Sequence, residues 1–191
     1  AYLLPRFIEN ITCFLSISPD QGFGIFDLIE NKVENLNGSW ILDFPSTFTS
    51  LVSLNLENIQ GEVNTESLAG LIGRCSNLKS LKLNSSVSLT DMLMLLHRTP
   101  NLIDLGTGSF SQDITPEGLL RLQSCITNYT NLTSLSGFWE VRPGSLPIIY
   151  PACKNLTSLN LSYTPVDDTD LAELVSQCHN LQRLWVSSGI S

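Results

Sequence analysis

An α/β solenoid, a horseshoe with parallel strands on its concave face and helical returns on its convex face, is the fold class that this 191-residue sequence predicts. Three observations point to it. The pattern Leu-x-x-Leu recurs at Leu51/Leu54, Leu78/Leu81, Leu102/Leu105, Leu132/Leu135, Leu156/Leu159 and Leu181/Leu184, at spacings of 27, 24, 30, 24 and 25 residues. Between the copies, apolar residues fall at helical spacing. Just ahead of the leucines, an asparagine recurs at Asn77, Asn101, Asn131, Asn155 and Asn180. A strand motif returning at this interval is the signature of leucine-rich repeats, in which each repeat is one supersecondary unit that hides its apolar face only by stacking on the next.

The strands come first in each repeat. Side chains alternate across a strand, so Leu54 and Leu56 point into the stack while Ser53 and Asn55 face outward; Leu159 and Leu161 do the same, leaving Ser158 and Asn160 outside. Four copies extend the motif to a third apolar position, at Leu56, Leu83, Leu161 and Val186, with Gly106 and Ser136 expected in that position in the other two. Truncating one inward leucine to alanine should cost about 2–5 kcal/mol. An earlier imperfect copy is read at Ile25-Phe26-Asp27-Leu28, followed by Glu30-Asn31.

The returns follow. Leu68, Leu71 and Ile72 share one helix face, and Ser88 to Asp91 reads as a capping-box-like start ahead of Met92, Leu95 and Leu96. Thr115-Pro116-Glu117 opens a third helix, with proline at the first helical position. Asp167 to Cys178 gives a fourth, with Leu171, Leu174, Val175 and Cys178 in phase. Pro143 and Pro147 make the return after Leu135 the least regular. The repeats occupy residues 27–186, preceded by an unmatched N-terminal segment, 1–26, expected to be irregular, and followed by a truncated tail, 187–191. A start at Ala1 and a stop five residues past the last strand predict a fragment.

Composition narrows the function. A net charge of −8, with only 10 Lys and Arg, argues against nucleic acid, whose phosphates demand a clustered basic surface. No apolar run reaches the roughly 18 residues of a membrane span, and Ala1–Phe26 lacks the basic start and unbroken apolar stretch of a signal peptide. Cys75, Cys153 and Cys178 each sit three residues before a motif leucine. One thiol per repeat slot is a core-filling pattern, and the odd total of 5 argues against a disulfide framework, so the compartment is expected to be reducing.

No catalytic, ligand-binding or metal-binding residue is assigned, and no enzyme is expected. Cys178-His179 lacks the further ligands that zinc requires. His97 belongs to a helix C-terminus, and Asp167, Asp168 and Asp170 to a first helical turn. Gly106-Thr107-Gly108-Ser109 lacks the Gly-Lys-Ser/Thr ending of a phosphate loop and reads as a tight strand exit. Cations on the predicted strands (Lys79, Lys82, Arg183) are scattered. Asn-x-Ser/Thr patterns at Asn10, Asn37, Asn84, Asn128, Asn131, Asn155 and Asn160 partly restate the repeat itself.

Particular residues carry a resemblance. These are Gly38-Ser39-Trp40 with Phe44-Pro45, Ser50-Leu51-Val52-Ser53-Leu54, Asn77 to Asn84, Leu105-Gly106-Thr107-Gly108-Ser109-Phe110, Leu135-Ser136-Gly137-Phe138, Leu156 to Tyr163, and Leu181-Gln182-Arg183-Leu184-Trp185-Val186. Through them the stretch from Asp27 to Val186 resembles the middle leucine-rich repeats of the plant auxin-receptor F-box family, the transport inhibitor response and auxin-signalling F-box proteins. The resemblance implies the substrate- and hormone-recognition part of an SCF-type ubiquitin ligase subunit. It implies ubiquitin-dependent degradation in auxin-activated signalling, a nuclear location, a SKP1-like adaptor and transcriptional-repressor substrates as partners. It also implies auxin and an inositol phosphate, bound by repeats not present here, so no cofactor is expected in this chain. No F-box stretch precedes the repeats, which leaves adaptor docking without a matching segment and predicts a chain inactive alone.

Two other readings compete. An extracellular leucine-rich-repeat recognition domain follows from the acceptor asparagines. It calls for short uniform repeats with a Gly-x-Ile-Pro return and paired capping cysteines, which the sequence lacks. A fragment without independent activity would expose the apolar ends of its stack and be poorly soluble.

Overall fold

The computed structural model describes residues 15–17 by their backbone, and residues 49, 51–57, 61–110, 115–139, 141–142, 144–162 and 164–186. The early motif copy at residues 25–31, the stretches around Trp40 and Phe44, Cys13, Asn10, Asn37, Pro143, Tyr163 and the tail 187–191 lie outside the described residues.

The sheet has seven strands in sequence order: β1 (Leu15–Ile17), β2 (Leu51–Asn55), β3 (Ser80–Lys82), β4 (Asp104–Gly106), β5 (Ser134–Ser136), β6 (Ser158–Leu161) and β7 (Arg183–Val186). From β2 to β7 every neighbouring pair is parallel, as a stack of identical right-handed turns requires. The leucines form one rung across the sheet, Leu54–Leu81–Leu105–Leu135–Leu159–Leu184. β1, inside the segment the repeat does not reach, pairs antiparallel with β2. The ladder also extends below the strands, where Ile103 N–H donates to Lys79 O at 2.7 Å and Thr157 N–H to Thr133 O at 2.8 Å.

Five helices make the second layer among the described residues: α1 (Thr65–Arg74), α2 (Leu89–Leu96), α3 (Pro116–Asn128), α4 (Tyr150–Cys153) and α5 (Asp168–Gln177). Four starts are capped by the side chain just outside. Asn64 accepts from Ser67 N–H, Ser88 from Asp91 N–H, Thr115 from Gly118 N–H and Asp167 from Asp170 N–H, at 2.9, 3.1, 3.0 and 2.8 Å. Each such cap is worth about 1 kcal/mol. The return after β5 is indeed the irregular one, a 3₁₀ turn over Leu146–Ile149 running into the four-residue α4.

Between the layers lies a single apolar core. Leu51, Leu54, Leu56, Leu81, Leu105, Leu132, Leu156, Leu159 and Leu161 are all fully buried, and the helices add Leu68, Leu71, Leu95, Leu122 and Leu174. Each such leucine contributes roughly 1.5–3 kcal/mol.

The third apolar slot needs one correction. Register places Gly106 and Ser136 opposite Lys82, on the outer face, so the slot in those two repeats belongs to the next residues, Thr107 and Gly137. Thr107 is fully buried, and its hydroxyl is satisfied on both sides: it donates to Ser136 O at 3.2 Å and accepts from Phe138 N–H at 2.6 Å. Gly137 has φ +98°, and a Cβ there would collide with the Thr107 backbone. Phe138 follows at φ +58°, its ring stacked on Phe110 with centroids 5.7 Å apart. A threonine in one repeat and a glycine in the next thus stand where the other repeats carry an apolar side chain. At the strand exit, Gly108 is bare for a related reason, since a Cβ would strike the Val87 carbonyl.

Candidate binding face

With the leucines turned inward, two rows of side chains stand on the free face of the sheet. Register gives their members. One row is Ser53, Ser80, Asp104, Ser134, Ser158 and Arg183; the other is Asn55, Lys82, Gly106, Ser136, Asn160 and Trp185. From β3 to β7 members of both rows line a cleft of about 350 Å³, bordered by Lys82, Asp104, Ser136, Asn160, Arg183 and Trp185.

The cleft's charges have a defined arrangement. Gly106 lies so close to Lys82 that a Cβ would stand 3.0 Å from the lysine's own Cα and Cβ, and the bare glycine leaves room for the lysine stem. The Lys82 ammonium sits 3.6 Å from Asp104 Oδ2, which also accepts from Ser80 Oγ at 2.9 Å. About a quarter of each charged side chain is exposed, so the pair is worth at most about 1 kcal/mol. Its larger effect is to neutralise the β3–β4 end of the cleft and hold the carboxylate in place. Asp104 Oδ1 and Ser136 Oγ are both buried and have no hydrogen-bond partner among the described residues.

The cysteines belong to the core side. Cys75, Cys153 and Cys178 are buried, in the slot that Thr99 and Tyr129 fill in the two intervening repeats. Burial pushes the Cys75 and Cys125 thiols up. The neighbouring Cys178 thiol and burial together hold Cys153 protonated, and its S–H donates to Ile149 O. Tyr129 donates to Leu96 O at 2.6 Å, and burial pushes its phenol up to about 12. His97 and His179 are exposed at helix ends. The described residues contain no group of three or more His, Cys, Asp or Glu placed to hold a metal ion, and no helix long and apolar enough to cross a membrane.

The asparagine slot is structural where its bonds are seen. Asn155 Nδ2 donates to Thr130 O and Asn180 Nδ2 to Lys154 O, tying each repeat to the one before. Asn84 is also engaged; it is buried, donates to Gly61 O and accepts from Ser86. Asn128 and Asn131 stand exposed. Sequence reasoning placed Ser53, Asn55, Ser158 and Asn160 on the outer face but did not join Lys82, Asp104, Ser136, Arg183 and Trp185 into one cleft. The alternation of the strand motif was the signal available for it.

No protein-family profile matches the chain. Among curated proteins it is 45% identical over 160 residues to a transport inhibitor response 1-like protein of rice (Oryza sativa subsp. japonica), covering 84% of this chain and 27% of the relative. It is 46% identical over 162 residues to GRR1-like protein 1 of Arabidopsis thaliana, covering 85% and 28%. F-box protein FBX14 of the same plant is 37% identical over 168 residues, covering 87% and 27%. Coronatine-insensitive protein 1 of Arabidopsis is more distant, 23% identical over 157 residues. The chain spans just over a quarter of the length of these relatives. Its in-register leucine ladder and the similarity over more than four-fifths of its residues identify it with the leucine-rich-repeat region of the plant auxin-receptor F-box family, the transport-inhibitor-response-like and GRR1-like proteins.

Proposed function

We propose that these repeats serve, without catalysis of their own, in the recognition part of an F-box subunit of an SCF-type ubiquitin ligase in auxin-activated signalling. The observation that carries this reading is the gradient of identity. It is 44–46% to the transport-inhibitor-response-like and GRR1-like proteins but only 23–28% to the coronatine-insensitive proteins. On this reading the partners are a SKP1-like adaptor and transcriptional repressors, the location is the nucleus, and auxin and an inositol phosphate bind to repeats beyond this chain. The role of the present repeats is then to hold their neighbours at a fixed separation, which the continuous leucine core suits.

The test is affinity capture of the plant gene product that carries these repeats, with and without auxin. Auxin-dependent recovery of a repressor together with a SKP1-like adaptor supports the reading. Recovery that responds to coronatine instead, or an adaptor that never co-purifies, contradicts it. The extracellular reading is disfavoured at Asn84, where the side chain is buried and engaged on both its oxygen and its nitrogen.

A further inference from the structure

We infer that the cleft on the free face of β3–β7 binds an extended acidic peptide segment of a partner protein, laid across the strands with a carboxylate on Arg183 and N–H donors on Asp104 Oδ1 and Ser136 Oγ. Three independent features converge on it.

The first is polar supply without demand. Ser136 is only 4% exposed, lines the cleft, and its hydroxyl has no partner; Asp104 Oδ1, one strand away, is buried in the same condition. Leaving such groups unmet is costly; both oxygens are sealed from water in this structure, so a ligand that brings donors meets them only once the Ser136 and Asp104 side chains turn toward it. A peptide backbone brings them at regular intervals.

The second is charge. The chain as a whole carries −8, yet the charged residues lining the cleft are Lys82, Asp104 and Arg183, which sum to +1. Lys82 is engaged by Asp104, whereas no carboxylate pairs with Arg183 among the described residues. Arginine favours two-pronged contact with a carboxylate. A compact inorganic anion fits poorly here, because it has one cation to meet and few protons for Asp104 Oδ1.

The third is shape. Asp104 on β4 and Arg183 on β7 are three strand spacings apart, about 14 Å, which an extended chain covers in about four residues. Trp185, one pleat along from Arg183 and 45% exposed, offers an apolar wall for a side chain flanking the acidic one. Between Asp104 and Arg183 the row holds only Ser134 and Ser158, whose short side chains leave room for a backbone.

This inference stands apart from the ubiquitin-ligase reading, since it requires neither auxin nor an adaptor. The test immobilises the 191-residue chain and offers capped hexapeptides of Gly, Ser and Leu with either Asp or Lys fixed at the fourth position. Captured peptides are counted by mass spectrometry. The Asp set should be enriched about tenfold over the Lys set, the effect of one charge-assisted contact. Arg183→Glu should reverse that preference, which an unfolded variant could not do. Ser136→Ala should weaken capture several-fold while leaving the melting temperature equal or higher, because it removes an unmet hydroxyl. Equal capture of both sets, no capture at all, or a preference untouched by Arg183→Glu overturns the inference. So does a cleft whose amide resonances shift with millimolar inorganic phosphate while neither peptide set is held.

Discussion

Gly137→Ala tests the packing at the point where the leucine pattern lapses. Gly137 has φ +98°, a conformation that costs an L-residue about 1–2 kcal/mol, and its missing Cβ leaves space already taken by Thr107. Forcing a methyl group into that contact should add about 1–3 kcal/mol of overpacking. It would also strain the 2.6 Å bond from Phe138 N–H to Thr107 Oγ1. The expected loss is therefore about 2–5 kcal/mol, a large share of a small domain's stability. Two other glycines calibrate it. Gly144 also has positive φ, +78°, but nothing lies within 4 Å of a Cβ there, so Gly144→Ala should show the backbone cost alone. Gly70 is an exposed position inside α1 with equally open space, and Gly70→Ala should stabilise by about 0.5–1 kcal/mol. Equilibrium urea unfolding of the three variants reads the order directly. If Gly137→Ala proves no more destabilising than Gly144→Ala, the collision with Thr107 is not what selects glycine.

Other predictions concern buried polar groups and thiols. Tyr129 ionises near 10 when unfolded and about 12 when folded, so the native state keeps a proton that the unfolded chain releases. Its contribution is complete below pH 10 and is lost as pH rises toward 12, up to about 3 kcal/mol, which urea midpoints across that range would show; Tyr129→Phe should flatten this slope. Among Cys75, Cys125, Cys153 and Cys178, only Cys125 is partly exposed, so of these four it should be alkylated first in the native protein, with the other three protected until unfolding, as peptide mapping can establish. Asn84→Ala should destabilise by about 1–3 kcal/mol, because Gly61 O and the Ser86 hydroxyl lose their shared partner; an unchanged urea midpoint would remove Asn84 from the structural account.

The repeat was legible because leucine is the residue that both the strand slot and the stack demand. A spacing of 24 to 30 residues leaves room for one strand and one helical return. The caps were legible too: Ser88, Thr115 and Asp167 each accept the bond their place in the sequence suggests. What escaped was mostly what depends on lateral register. In the two repeats that lack a third apolar residue the core slot is expected at Gly106 and Ser136, one residue early; the two-residue step from Leu54 to Leu56 and from Leu81 to Leu83 already points to Thr107 and Gly137, and pairing with Lys82 agrees. β1 carries no leucine pair and joins the sheet in the opposite direction, so periodicity had no purchase on it. The cleft was hidden for the same reason. Lys82, Asp104, Ser136 and Arg183 come from four repeats, and in one dimension they read as scattered polar residues.

The leucine rung itself is the most direct test. Backbone proton contacts measured by NMR on the labelled chain should place Leu81, Leu105, Leu135, Leu159 and Leu184 side by side on parallel strands, with Lys82 beside Gly106 and Asn160 beside Trp185. Contacts of antiparallel pattern between any of β2–β7, or a rung displaced by one residue, would contradict the fold and dissolve the cleft built on it.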